Sequence, residues 1–256
     1  MKITFLGTGT SVGVPAIGCD CPVCTSDDPR NKRLRSSIYV ETDKQCILID
    51  TTPDFRTQAL THGVKRIDAL LLTHSHADHI FGFDDIRRFN TLQRGVIPVY
   101  GSPKTIMDMN RIFDYVHAEH PPGVFRPEVL FQQVTHPFEA GDAGIVPIEV
   151  SHSPATAYGY RIDANGKSIG YFPDCNDMPE ESIALLRGMD VMVLDALRYK
   201  PHSTHFCVEQ SVNILKDIGA AESYLIHMCH DIEHASLEES LPDSIHASFD
   251  GLTVEV

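Results

Sequence analysis

The sequence predicts a layered α/β domain, and three observations predict it. Short runs rich in Val, Ile and Leu recur along the chain. Segments with helical spacing fall between several of them. Residues able to bind metal stand at the ends of the runs, where open α/β folds collect their sites.

The elements follow in order. "KITFLG", "SSIYVET" and "QCILIDTT", at Lys2–Gly7, Ser36–Thr42 and Gln45–Thr52, read as hairpin-linked strands. "IDALLLTH", "IPVYG", "IVPIEVSH", "SIGYFPD", "VMVLDAL" and "SYLIHM" read as strands buried on both faces, since their apolar runs are continuous. Ser102 and Pro103 form an N-cap and first-turn pair that opens a helix over Lys104–Val116. A short helix is expected over Pro179–Arg187. The clearest covers Cys207–Ile218, where Val208, Val212, Leu215 and Ile218 share a face and Gly219 ends it. Ala118–Phe131 is Pro-rich and reads as a lid or loop. No boundary interrupts the pattern, so residues 1–256 are expected to form one domain.

Composition narrows the function. The chain has 256 residues, enough for a substantial core, and no apolar run long enough to cross a bilayer. The opening "MKITFLGTGTS" reads as a strand and a Gly turn rather than a signal peptide. A cytoplasmic location is therefore expected, with seven cysteines kept reduced as ligands or buried small hydrophobes. A formal net charge of −14 argues against a nucleic-acid backbone as partner. Fourteen histidines point to a metal cluster.

That cluster is "LLTHSHADHIFG". Histidines at i and i+2 stand about 200° apart on a helix but on one side of an extended strand exit. His74 and His76 can therefore hold one ion, and Asp78 and His79, in the next turn, can reach a second. His152, Asp174 and His227 end three further apolar runs and complete a set.

This set resembles the metallo-β-lactamase superfamily over nearly the whole chain. The resemblance implies an αββα sandwich of two mixed sheets flanked by helices, with the site along one sheet edge. It implies one metal on His74, His76 and His152, a second on Asp78, His79 and His227, and Asp174 bridging them. It implies that Asp50, in "ILIDTT", supports the cluster. Two divalent cations against two aspartates and a bridging hydroxide leave such a site near about +1, suited to an anionic phosphodiester.

"FLGTGTSVGVPAIGCDCPVC" narrows the branch. Its G-T-G turn, G-V-P and C-x-C-x-x-C resemble the PhnP-type family of phosphoribosyl cyclic phosphate phosphodiesterases, as do "IPVYG" and the closing "FDG". The resemblance implies a structural zinc on Cys19, Cys21, Cys24 and His230, with Cys229 as a neighbouring competitor. A histidine shortly before a helix would be the general acid. "YKPHSTHFCVEQ" offers His202 and His205, and His205 has the better-matching position. Thr204 is available to cap that helix. Ser153 and Arg198 are weaker candidates for substrate contact. So are Arg87 and Arg88, which a solvated helix face explains equally well. His117, His120 and His136 receive no role. Residues 103–131 look longer than in PhnP-type proteins and are expected to overhang the site.

The resulting expectation is a hydrolase with two catalytic ions, manganese or zinc, and one structural zinc. A metal-bridging hydroxide would attack a small phosphodiester, with a cyclic nucleotide or ribosyl phosphate as examples, and the family implies a homodimer. Two alternatives are a tRNase Z-like endoribonuclease and a noncatalytic binding protein like PqqB. PqqB shares the cysteine-rich opening and a segment like "TPDFR" but departs from the full H-x-H-x-D-H set.

Overall fold

A computed structural model of the protein describes residues 1–256 apart from 120, 122 and 153. The chain opens with β1 (Lys2–Gly7), β2 (Ser37–Glu41) and β3 (Cys46–Ile49), then α1 (Phe55–Thr61) and β4 (Ala69–Leu71). The one-turn α2 (Ala77–Ile80) and α3 (Ile86–Gln93) lead to β5 (Ile97–Gly101), α4 (Pro103–Ile112) and β6 (Val129–Gln133). The second half holds β7 (Phe138–Ala140), β8 (Ala143–His152), β9 (Ala155–Ala164), β10 (Lys167–Phe172), α5 (Glu180–Leu186) and β11 (Val191–Asp195). It closes with α6 (Val208–Ile218), β12 (Glu222–Ile226), α7 (His234–Ser240), β13 (Ile245–Ala247) and β14 (Thr253–Glu255).

Among the described residues these strands make two seven-stranded mixed sheets, ordered β14-β1-β2-β3-β4-β5-β6 and β13-β12-β11-β10-β9-β8-β7. Each is antiparallel in one half and parallel in the other, and the change falls at β3 and β10. Ile3, Phe5, Ile49 and Leu71 of one sheet pack with Tyr160, Ile169, Val193 and Ile226 of the other. The outer faces are covered by helices: Phe55, Ile86, Phe89 and Met109 on the first sheet, Ile183, Leu186, Leu215 and Leu237 on the second. This is the αββα sandwich, and burial on both sheet faces accounts for the continuous apolar runs.

Several elements differ from their sequence reading for local reasons. β3 stops at Ile49 because Asp50 takes a left-handed conformation, φ 64°. α4 ends at Ile112, and a 3₁₀ turn over Asp114–Val116 follows. α5 and α6 lose their expected first residues, Pro179 and Cys207, which sit at the N-caps. Gly219 ends α6 at φ 64°. β8 is not buried on both faces: it alternates, with Glu149 exposed, because it pairs antiparallel with β9 in a long hairpin. Two antiparallel steps separate β8 from β10, so both run the same way, and His152 reaches the sheet edge that Asp174 follows. No helix among the described residues is long and apolar enough to cross a membrane.

Candidate metal centre

The loop after β4 is fixed before it reaches its histidines. The buried Asp50 carboxylate accepts from the Thr73 N–H through Oδ1 and the Thr73 hydroxyl through Oδ2, both at 2.8 Å. Beyond this anchor His74 Nε2 lies 2.8 Å from His76 Nδ1, and His152 Nε2 lies 3.2 Å from the same atom. Nitrogen ligands around a tetrahedral ion stand about 3.3 Å apart. The His152 Nδ1–H donates to the Thr204 carbonyl at 2.9 Å, which leaves Nε2 for a ligand.

α2 and two strand ends build a second group. Asp78 Oδ2 is 3.3 Å from His79 Nε2, and Asp174 Oδ1 is 3.2 Å from both His79 Nε2 and His227 Nδ1. The other Asp174 oxygen faces the first group, 3.9 Å from His74 Nε2 and 3.8 Å from His152 Nε2. One buried carboxylate thus spans both groups. Asp50 also accepts the His79 Nδ1–H at 2.7 Å, turning Nε2 inward. His227 is held at φ 62° with Nδ1 3.2 Å from the Ser36 hydroxyl.

Divalent ions fit these residues. His79 Nε2 and Asp174 Oδ1 are buried 3.2 Å apart with no other hydrogen-bond partner, and with Nδ1–H given to Asp50 the Nε2 position is left to a proton or a cation. Such an arrangement is costly unless a cation completes it. Burial also lowers the pKa of His74, and brings that of His227 down to about 4, which keeps both imidazoles in the neutral, ligating form. Burial opposes the charged form of His79, but the carboxylates of Asp174, Asp78 and Asp50 outweigh it and raise its pKa.

His205 stands beside both groups, its ring 4.8 Å from that of His152 and 4.9 Å from that of His227. Its Nδ1–H donates to Asp195 Oδ2 at 2.7 Å, and the same oxygen accepts from the Cys175 N–H at 3.0 Å. Sequence reading missed this Asp195 partner, although an Asp ending the apolar run "VMVLDAL" is the same signal that marked Asp174. His202 also lines the cleft, but its Nδ1 is engaged by the Thr204 N–H and hydroxyl at 3.3 and 3.1 Å. Thr204 therefore serves this ring and does not cap α6. The cleft has a volume of about 440 Å³, and Ser11, His76, Asp78, Pro154 and Ala155 form the rest of its mouth.

The three N-terminal thiols converge on His230. Its Nδ1 lies 3.2, 3.4 and 3.7 Å from the Sγ of Cys19, Cys21 and Cys24, near the about 3.5 Å spacing of sulfur and nitrogen around tetrahedral zinc. Cys229 does not join them: its Sγ accepts from the Asp231 N–H. Protein bonds clamp the same two loops. The buried Arg33 donates to the carbonyls of Cys229 and Ile232 at 3.2 and 3.0 Å, and Asn31 donates to Glu233 at 2.9 Å. Nothing in the sequence pattern marks Arg33 or Asn31 for this role.

Other candidates lie elsewhere. Arg198 donates to the carbonyls of Lys200 and Pro201, so it braces the His202–His205 loop instead of facing the cleft. Arg87 pairs with Asp84, and Arg88 borders a groove between α1 and α3. Among the described residues of 103–131 none lines the cleft; Asp108 instead accepts from Ser75, behind the histidine loop. His117 packs on Phe131, and His136 is exposed. Ser153 and His120 lie outside the described residues.

Residues 45–228 match the family model of the beta-lactamase superfamily domain. The chain belongs to that superfamily. A crystal structure of a diphosphatase from the PhnP family superposes with a TM-score of 0.91 at 41% identity, covering 100% of this chain and 97% of the other. An octanoyltransferase of Porphyromonas gingivalis is 36% identical over 98% of this chain, and the chain spans only about half, 51%, of that protein's length. A coenzyme PQQ synthesis protein B of a Methylobacterium species is 29% identical over 78% of this chain and 74% of its own. The family match and the superposition thus place this chain in a superfamily to which its two groups of histidine and aspartate ligand atoms conform.

Proposed function

We propose that residues 1–256 act as one hydrolase domain, a dinuclear metal-dependent phosphodiesterase for a small anionic phosphodiester. The observation that carries this reading is the buried Asp174 carboxylate facing two groups of ligand atoms, with His205 at their side. In this reading His74, His76 and His152 hold one divalent ion, Asp78, His79 and His227 hold the other, and Asp174 joins them. Manganese or zinc suits these N/O donors, and zinc suits the separate site of Cys19, Cys21, Cys24 and His230. When bound, a divalent pair supplies Lewis-acid charge for a phosphoryl group and a nucleophile near neutral pH.

The protein's own groups do the rest. Asp50 and Thr204 hold His79 and His152 in the tautomers that present Nε2 inward. Asp195 receives the His205 Nδ1–H, which keeps the proton-bearing Nε2 available to the departing oxygen. Among the described residues no lysine or arginine lines the cleft, so a monoanionic diester matches it better than a polyanion. The superposed diphosphatase favours a second reading, in which the bond cleaved is the P–O–P bridge of a diphosphate diester.

The test loads the protein with zinc or manganese and assays bis-p-nitrophenyl phosphate, a 2′,3′-cyclic nucleotide and a dinucleoside diphosphate. Turnover of the first two supports a phosphodiesterase, and preference for the third supports the second reading. Thioester or lactone hydrolysis without phosphodiester turnover overturns both. About three ions per chain is the expected metal content; one ion, with no turnover, favours a PqqB-like binding protein.

A further inference from the structure

His202 is left without a role by the reaction just described, yet its position is defined. It lines the cleft, partly buried, with its ring 5.4 Å from that of His205. Its loop is pinned along its length. Arg198 holds the carbonyls of Lys200 and Pro201, Asn176 donates to the Ser203 carbonyl at 2.8 Å, and His152 donates to the Thr204 carbonyl. A side chain on such a loop is presented to the cleft in a fixed pose.

The hydrogen bonds also fix its tautomer. The Thr204 N–H can only donate, so the His202 Nδ1 that it contacts at 3.3 Å is the acceptor nitrogen. In the neutral ring the proton then sits on Nε2, and this N–H has no partner among the described residues. His202 therefore offers one neutral donor at the cleft, next to the group that would protonate the departing oxygen. It is poorly suited to deliver a proton itself, having no carboxylate behind it of the kind Asp195 provides for His205.

We infer that His202 is a specificity-determining residue whose Nε2–H donates to an oxygen acceptor on the leaving group, a sugar or a second phosphate. This rests on the phosphodiesterase reading. A leaving group rich in oxygen gains this bond; a p-nitrophenyl group offers only weak nitro acceptors far from the bond that breaks.

The experiment compares kcat/KM for a dinucleoside diphosphate, a 2′,3′-cyclic nucleotide and bis-p-nitrophenyl phosphate in wild type, His202→Ala and His202→Gln. Loss of one neutral hydrogen bond is expected to cost His202→Ala about tenfold more on an oxygen-rich substrate than on the aryl diester, mainly through KM. His202→Gln, which keeps a donor, should recover part of that ratio. Equal losses on all substrates, or a loss confined to kcat on the aryl diester, overturn the inference while leaving the phosphodiesterase reading intact. Absence of turnover by the wild type on every substrate instead overturns the reading itself, and the inference with it.

Discussion

At the scale of single residues, the site depends on side chains that set one another's protonation. Asp50 reaches both Thr73 and His79 from a left-handed backbone position, so a single carboxylate fixes the histidine loop and one of its rings. Positive φ at a non-glycine residue costs energy and persists only where the surroundings enforce it. Asp50→Asn should weaken the proposed second ion by ~10–100-fold, read by metal titration, since second-layer partners of metal-binding histidines carry that much affinity. His205→Ala should lower kcat by ~10²–10⁴-fold on a substrate with a sugar leaving group and far less on an aryl diester, whose leaving oxygen needs no proton. Similar loss on both would remove the acid role from His205. The resemblance favours His205 over His202, three residues away, by its position before a helix, and the Asp195 contact gives a physical difference between the two rings.

At the scale of elements, the decisive contacts join short loops. Gly82 follows α2, and a Cβ there would meet the Thr52 carbonyl oxygen at 2.0 Å and Phe55 Cβ at 2.8 Å. The obstruction is backbone, which cannot swing aside. Gly82→Ala should cost about 1–3 kcal/mol, as overpacking does. It should also loosen the second ion by parting α2 from the loop after Asp50; a thermal midpoint within a degree of wild type would contradict this. The cysteine loop acts at the same scale. Cys21→Ser should release the proposed structural zinc and weaken the second ion through the His227–His230 loop, while Arg33 keeps the two loops from separating fully. Unchanged zinc content would exclude Cys21 as a ligand.

At the scale of the whole molecule, two sheets deliver their strand ends to one edge, and the proposed ions should couple stability there to metal. Chelation should abolish turnover and lower the melting temperature, because bound ions stabilise the folded state by mass action and neutralise buried carboxylates. A melting temperature unaffected by chelation would deny the ions that role. The opposite pole of charge control is Asp250, whose carboxyl is pushed up to about 7 by burial, although the Leu34 N–H and Thr8 hydroxyl oppose the shift. A carboxyl raised in the folded state holds its proton there at pH values where the unfolded chain has released it. Its contribution is full below about pH 4 and is lost as pH rises toward 7. Asp250→Asn should flatten that decline, measured as the difference in urea midpoint between pH 5 and pH 8; an unaltered difference would contradict it.

What the sequence determined by itself was the class of fold and a candidate set of metal-binding residues. Continuous apolar runs require strands covered on both sides, and ligand-type residues closing those runs have few other uses; His74, His76, Asp78, His79, His152, Asp174 and His227 stand out as candidates on that basis, and the structure brings their ligand atoms together. β8 was legible as "IVPIEVSH", but its partner β9 was not, because Gly159, Arg161 and Asp163 interrupt "TAYGYRIDA" and leave no continuous apolar run. Neither were α1, α3 and α7, whose apolar faces are short. Only the tertiary structure decided which partner each histidine takes: Asp195 for His205, Thr204 for both His202 and His152, Asp50 for His79. Those pairings join residues from different strands and loops, and sequence spacing carries no information about distances that folding alone creates.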